Sequence, residues 1–324
     1  MELDFKKNND RKFERESFLT LPKGVIEARF IGLEKDVSKR WDKLTLELDF
    51  PKYSVDKSDI LIKQEFEKFN LLRNRLHCNS AQIPHQSQLE FTIAQNILIH
   101  HRYRQPSCIT FEFSKADDSY NCSCLEVHGR KYFALDGPSD QTIKYFYKLL
   151  LNWNVGMLVS LTGESEQGVQ KCYPYWNQNT FEKDGDHFLG LPIEDEWGMP
   201  IDKWLKKTVP FLHLDNWKDH AGFDVEKLVE YANLVRKRIN KESILAIHCS
   251  GGVGRTGTFL AVVALLDEID DQLSKGFKSL ELNLSIPKLF LKLNFYRRLL
   301  VAEESQYICL YRAVDYYLKI NIKH

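Results

Sequence analysis

The chain contains no run of about 20 apolar residues, the length needed to span a bilayer, and its opening MELDFKKNNDRKFERESF lacks the apolar stretch of a secretory signal. No membrane insertion is therefore expected, and a soluble protein working in the cytosol is. An excess of one charge is missing as well: Lys+Arg and Asp+Glu are both 45, so the formal net charge is zero and no global field draws in nucleic acid. The seven cysteines, Cys78, Cys108, Cys122, Cys124, Cys172, Cys249 and Cys309, show no CxxC spacing and no His in metal-ligand register. Neither a disulfide framework nor a zinc site is indicated, and six of the seven read as small buried apolar residues. Internal repeats, low-complexity tracts and Gly/Ser/Pro-rich linkers are also lacking, so nothing marks two independent domains.

What is present supports a sizeable core: 324 residues, of which 43% are apolar and 12% aromatic. Leu44, Leu46, Leu48 and Phe50 alternate with Lys43, Thr45, Glu47 and Asp49, which predicts a half-buried strand ended by Pro51. After Ser58 and Asp59, the positions Ile62, Phe66, Phe69, Leu72 and Leu76 recur at helical spacing, so the main domain is placed at residues 58–324 and a partly folded extension at 1–57. Ile143, Phe146, Tyr147 and Leu150 predict a helix that feeds the buried strand VGMLVSL. Asp224 is a candidate cap for a helix buried through Val225, Leu228, Val229, Ala232, Val235 and Ile239, followed by the strand SILAI. Helices fill the C-terminal part, the last with Tyr307, Leu310, Tyr311, Val314 and Leu318 on one stripe. Helices alternating with buried strands indicate an α/β domain on a parallel or mixed sheet.

The strongest chemical signal lies between SILAI and the apolar helix FLAVVALL: His248, Cys249, Ser250, Gly251, Gly252, Val253, Gly254, Arg255, Thr256. Glycines let the backbone curl so that successive N–H groups point inward, and the following helix directs its positive end to the same point, which makes an anion cradle. A thiol beside converging dipoles and a guanidinium is favoured as the thiolate nucleophile. Arg255 closes the loop with a planar fork able to hold two phosphate oxygens. No Lys-Ser/Thr pair follows the glycines, which excludes a Walker-type nucleotide loop.

HCSGGVGRTG resembles the signature of the classical protein tyrosine phosphatases: HC, any two residues, G, any two, R, then S or T. The resemblance implies a mixed, highly twisted sheet flanked by helices with a helical C-terminal part. It also implies hydrolysis of phosphotyrosine in proteins through a phosphocysteine on Cys249, without metal or cofactor. Arg255 and the amides of Ser250, Gly251, Gly252, Val253 and Gly254 would bind phosphate, Thr256 would donate a hydrogen bond to the thiolate, and His248 would support it from behind. Gly252 stands where the family usually has alanine.

Other segments carry the likeness from about residue 58 to 320. Trp217-Lys218-Asp219-His220 resembles the family's mobile WPD loop, which implies Asp219 as general acid with Trp217 beside the substrate; Lys218 replaces proline and one additional residue precedes Gly222. HRYRQP resembles the phosphotyrosine loop, which implies that Tyr103 flanks the substrate ring and Arg104 meets acidic substrate residues, with Gln105 replacing the usual Asp. LNFYRRLLVAEESQY resembles the C-terminal motif whose glutamines hold the hydrolytic water; the first corresponds to Ala302 and the second to Gln306. QEFEKF, DSYNCS, KYFALDGP and KCYPYW also match, the last two read as packing motifs. Two alternatives stay open: a phosphoinositide phosphatase, against which the neutral loop interior SGGVG argues, and a phosphotyrosine-binding pseudophosphatase, against which the retained Cys249, Arg255 and Asp219 argue and which Lys218, Gln105 and Ala302 keep open. An isolated catalytic domain, and an effector delivered by a pathogen to act on host proteins, fit the lack of membrane segments equally.

Overall fold

The structure, a computed structural model, describes residues 21–45, 48–77, 120–191 and 207–321, with 108, 110, 111, 114–116 and 118. Its helices and strands run in the order α1 (Lys23–Thr45), α2 (Asp59–His77), β1 (Cys122–Val127), β2 (Arg130–Leu135), α3 (Ile143–Asn152), β3 (Met157–Ser160), β4 (Ser165–Glu166), β5 (Val169–Gln170), α4 (Trp176–Asn179), β6 (Thr180–Lys183), β7 (Asp186–Leu191), β8 (Lys207–His213), α5 (Val225–Arg238), β9 (Leu245–His248), α6 (Gly254–Ser274), α7 (Ile286–Tyr296) and α8 (Glu304–Asn321). Among the described residues a seven-stranded sheet has the order β1-β2-β9-β3-β8-β7-β6. Strands β2, β9, β3 and β8 are parallel, and the antiparallel pairs β1/β2, β8/β7 and β7/β6 complete a mixed sheet flanked by helices. No helix among the described residues is long and apolar enough to cross a membrane.

Strand β9 lies between β2 and β3 and is buried along its whole length, which is why it reads as an apolar run rather than an alternation. Helix α6 then enters the core with Phe259, Leu260, Ala261, Val262, Val263, Ala264, Leu265 and Leu266 all buried, so it is apolar on every side. The crevice outside the carboxyl ends of parallel strands is where open α/β sheets bind ligands, and the loop between β9 and α6 lies there. Asp224 caps α5 as expected, its Oδ1 accepting from the Lys227 N–H at 3.0 Å.

The strand expected over residues 44–50 is not formed. Helix α1 runs through Leu44 to Thr45, residues 46 and 47 lie outside the described residues, and 48–50 are in no strand. The alternation is short, whereas Ile26, Phe30, Leu33, Val37 and Trp41 are buried at spacings of three and four, a longer pattern that carries the helix through this stretch. Phe30 stacks on Phe133 of β2 at 6.4 Å, Trp41 meets Phe295 of α7 edge-on at 6.1 Å, and Arg29 donates to the Lys115 carbonyl at 2.7 Å. This segment thus buries its apolar face in the same core as the sheet.

Candidate active site

The loop from Cys249 to Gly254 is held from behind. Arg297, fully buried after α7, donates from Nε to the Gly252 carbonyl at 3.0 Å and from Nη2 to the Gly251 carbonyl at 3.3 Å. Its Nη1 is anchored on Asn121 Oδ1 and Ser123 Oγ at 3.2 and 3.3 Å. Drawing carbonyls outward toward a guanidinium leaves the amides free to face the opposite side. Gly252 has φ +69°, and a Cβ there would lie 2.2 Å from the Leu135 carbonyl oxygen. Alanine cannot occupy that position, so the sequence reading that put the family's alanine at Gly252 is corrected: Gly252 is the signature glycine, and the departure falls on Gly251.

Cys249 is buried at the end of β9. The preceding His248 is fully buried; its Nδ1 lies 3.0 Å from the Cys249 carbonyl oxygen and its Nε2 2.6 Å from the Tyr175 hydroxyl. A carbonyl only accepts, so Nδ1 carries the hydrogen and Nε2 accepts from Tyr175, whose hydroxyl burial keeps protonated by raising its pKa well above the usual value. Among the described residues Thr256 Oγ1 is buried without a hydrogen-bond partner, so the bond to Cys249 implied by the resemblance is not made in this arrangement. This hydroxyl is free to turn to an acceptor beside it.

Arg255 is the hub. Its Nη1 donates to Glu166 Oε1 at 2.5 Å and to the Trp217 carbonyl at 2.8 Å, and Nη2 lies 3.0 Å from Asp219 Oδ1. The Nη2–Asp219 approach satisfies the distance of an ion pair but not hydrogen-bond alignment, and Nε has no partner among the described residues. Burial pulls the Arg255 pKa down, but the charges of Cys249, Asp219 and Glu166 outweigh it and hold the guanidinium protonated.

The segment 214–224 lies over this group. Trp217, 1% exposed, stacks on Phe223 at 4.7 Å and donates from Nε1 to the Ala221 carbonyl at 2.9 Å, which folds the loop back on itself. The Asp219 N–H donates to Glu166 Oε2 at 3.0 Å, and Asp219 Oδ2 accepts from Lys171 Nζ at 2.7 Å. Burial pushes the Asp219 carboxyl up, yet the Lys171 hydrogen bond and the Arg255 and Lys171 charges together bring it below the usual carboxylate range. Gln306, almost fully buried on α8, accepts at Oε1 from the Ala302 and Glu303 amides at 3.1 and 3.2 Å. A methyl placed on Gly254 would lie 3.0 Å from its Nε2, so the side chain rests against the cradle.

The fold therefore brings together Cys249, Arg255, Asp219, Trp217, Thr256, His248 and Gln306, while Tyr103, Arg104 and Gln105 lie outside the described residues. Sequence reading passed over Glu166, Lys171, Tyr175 and Arg297. KCYPYW is more than packing, since its Lys171 and Tyr175 touch Asp219 and His248. A usable signal for Glu166 was the hairpin SEQGVQ, whose turn residues Gln167 and Gly168 have φ of +51° and +76°.

A family model described as protein-tyrosine phosphatase matches residues 100–316. The chain is similar to the receptor-type tyrosine-protein phosphatase eta of Gallus gallus, 27% identical over 312 residues, covering 85% of this chain and 21% of that one. It is also similar to the tyrosine-protein phosphatase non-receptor type 20 of Mus musculus, 27% identical over 244 residues and covering 70% and 52% of the two chains. It thus spans about a fifth to a half of the length of these relatives. Among solved structures it shares the fold of a chain from work on the PTPN18 fingerprint on distinct HER2 tyrosine phosphorylation sites, with a TM-score of 0.63, 17% identity, and coverage of 80% and 96%.

Proposed function

The chain belongs to the protein-tyrosine phosphatase family, and we propose that it hydrolyses phosphotyrosine in cytosolic proteins through a phosphocysteine intermediate on Cys249. The observation that carries this is the buried Arg255 guanidinium, which ties the Trp217 carbonyl, Asp219 and Glu166 to the loop that begins at Cys249. Cys249 Sγ attacks phosphorus, the S–P bond forms, and the P–O bond to the phenol breaks. Asp219 gives its proton to the departing oxygen, because a phenolate, with a conjugate acid of pKa about 10, leaves poorly. Water then attacks the phosphocysteine, Asp219 takes back a proton, and inorganic phosphate and the thiolate are released.

The low proton affinity of Asp219 in the free protein fits this cycle. A phosphoryl dianion on Arg255 offsets the cation that depresses it, so the carboxyl holds its proton more firmly once substrate is bound. Hydrolysis of a phosphotyrosine peptide and of an activated aryl phosphate tests the reading. Asp219→Asn is expected to slow the peptide roughly hundredfold and the activated ester far less, since the latter leaves without a proton; equal losses refute the acid role. Lys171→Met removes the hydrogen bond that lowers the Asp219 pKa, so the alkaline limb of kcat/KM, where the acid is lost, should move to higher pH.

For the second step, Ala302 offers no side-chain hydrogen bond, and Gln306 Oε1 is already used by two amides. Water is then held mainly by Gln306 Nε2, and hydrolysis of the phosphocysteine becomes slow. Rapid mixing with an aryl phosphate is expected to show a burst of phenol approaching one per site. Ala302→Gln should raise the later rate and Gln306→Ala lower it; a linear course unaffected by either removes the premise.

A further inference from the structure

Inside the site, segment 214–224 is held by Arg255, Glu166 and Lys171. On its outer side it is held by a side-chain contact between His220 Nδ1 and Glu303 Oε1 at 2.7 Å. His220 has φ +56°, a backbone conformation that side-chain-bearing residues seldom adopt and that persists when surrounding contacts impose it. Its ring is 70% exposed, so packing does not impose this conformation; Nε2 lies 3.8 Å from Asp219 Oδ2 of the same loop, and the bond to Glu303 is the contact that ties the ring to a different element. Two residues on, Gly222 lies against the Ser305 carbonyl and Cys309 Sγ of α8, and the Phe223 N–H donates to the same sulfur at 3.4 Å. Glu303 sits between these contacts and Gln306, whose Oε1 accepts from the Glu303 amide.

We propose that Glu303 is a positioning residue that, by binding His220, holds the acid-bearing loop in place over the phosphate cradle. This rests on the reading of Asp219 as general acid. The loop has Lys218 where proline would stiffen the backbone, so more conformations compete with the closed one. A neutral His220 with its hydrogen on Nδ1 and a protonated one both donate to the carboxylate, so the contact needs no particular charge state. An exposed pair is individually weak, but a weak bias is enough to shift a loop whose open and closed forms are close in free energy.

The test compares the full chain with Glu303→Ala, His220→Ala and the double variant. In the first readout, hydrogen exchange over residues 214–224 is followed, where the Asp219 and Phe223 amides are bonded to Glu166 and Cys309. Exchange is expected to quicken by roughly two- to fivefold in each single variant and no further in the double. In the second, kcat for a phosphotyrosine peptide should fall by a similar factor with KM nearly unchanged, while an activated aryl phosphate is spared. Glu303→Gln, which keeps an acceptor for Nδ1, should restore most of the loss. The Glu303 carbonyl that accepts from the Tyr307 amide at the start of α8 is kept in Glu303→Ala, and the exposed His220→Ala decides the matter if Glu303→Ala nonetheless melts early. Unchanged exchange in His220→Ala, or additive effects in the double variant, overturns the proposal. A wild-type chain that hydrolyses neither ester refutes the phosphatase reading, and the exchange comparison still decides whether the contact holds the loop.

Discussion

Cys249→Ser is expected to lose turnover by on the order of 10⁴-fold or more while still binding a phosphotyrosine peptide. A serine hydroxyl must give up its proton before it can attack, and among the described residues no general base stands ready for it. His248 is committed at both nitrogens, Nδ1 to the Cys249 carbonyl and Nε2 to the Tyr175 hydroxyl. Asp219 is tied to Lys171 and Arg255 and acts on the leaving oxygen. The binding apparatus does not depend on the sulfur: Arg297 holds the Gly251 and Gly252 carbonyls, the left-handed Gly252 fixes the curl, and Arg255 keeps its place. Steady-state kinetics and calorimetric titration with one peptide separate the two effects. Substantial residual turnover would remove Cys249 from the role of nucleophile, and loss of binding with loss of turnover would show that the thiol helps shape the cradle.

The parts of this site legible in the sequence are those whose chemistry is local. Cys249, the glycines and Arg255 share one strand–loop–helix unit, and the buried strand before it and the apolar helix after it announce that context without any long-range contact. Helix α2 and the capped start of α5 were legible for the same reason, because periodicity and a cap are properties of adjacent turns. Glu166 and Lys171 were not: each lies in a short stretch with no periodicity, and its role arises when the chain brings it to Arg255 or Asp219 from 89 or 48 residues away. Arg297 was hidden in the same way, being one arginine of an RR pair until its partners are seen. The misplaced strand over residues 44–50 shows the converse: a local alternation was overridden by a longer helical pattern whose burial against Phe133 and Phe295 no local window contains.

Arg255→Lys is expected to lower kcat/KM by about 10³- to 10⁵-fold, the range over which an arginine that stabilises a transferring phosphoryl group acts. A lysine would keep the charge, so the size of the loss depends on what the fork does beyond charge. In this site one guanidinium meets Glu166 and the Trp217 carbonyl through Nη1, while Nη2, near Asp219 but not hydrogen-bonded to it, and Nε are buried donors that can together meet an anion in the cradle. A single ammonium on a flexible stem cannot occupy those directions at once. If it turns to Glu166 it abandons phosphate; if it turns to phosphate it frees the Trp217 carbonyl and loosens the loop that carries Asp219. Two steps therefore suffer together: ground-state capture, because phosphate loses its bidentate partner, and proton delivery, because the acid is no longer held in register. Vanadate inhibition should weaken in parallel with kcat/KM, and the loss should persist for an activated aryl phosphate, unlike that of Asp219→Asn. A variant within tenfold of wild type in both measurements would show that charge alone suffices here and that the fork geometry serves the fold rather than the reaction.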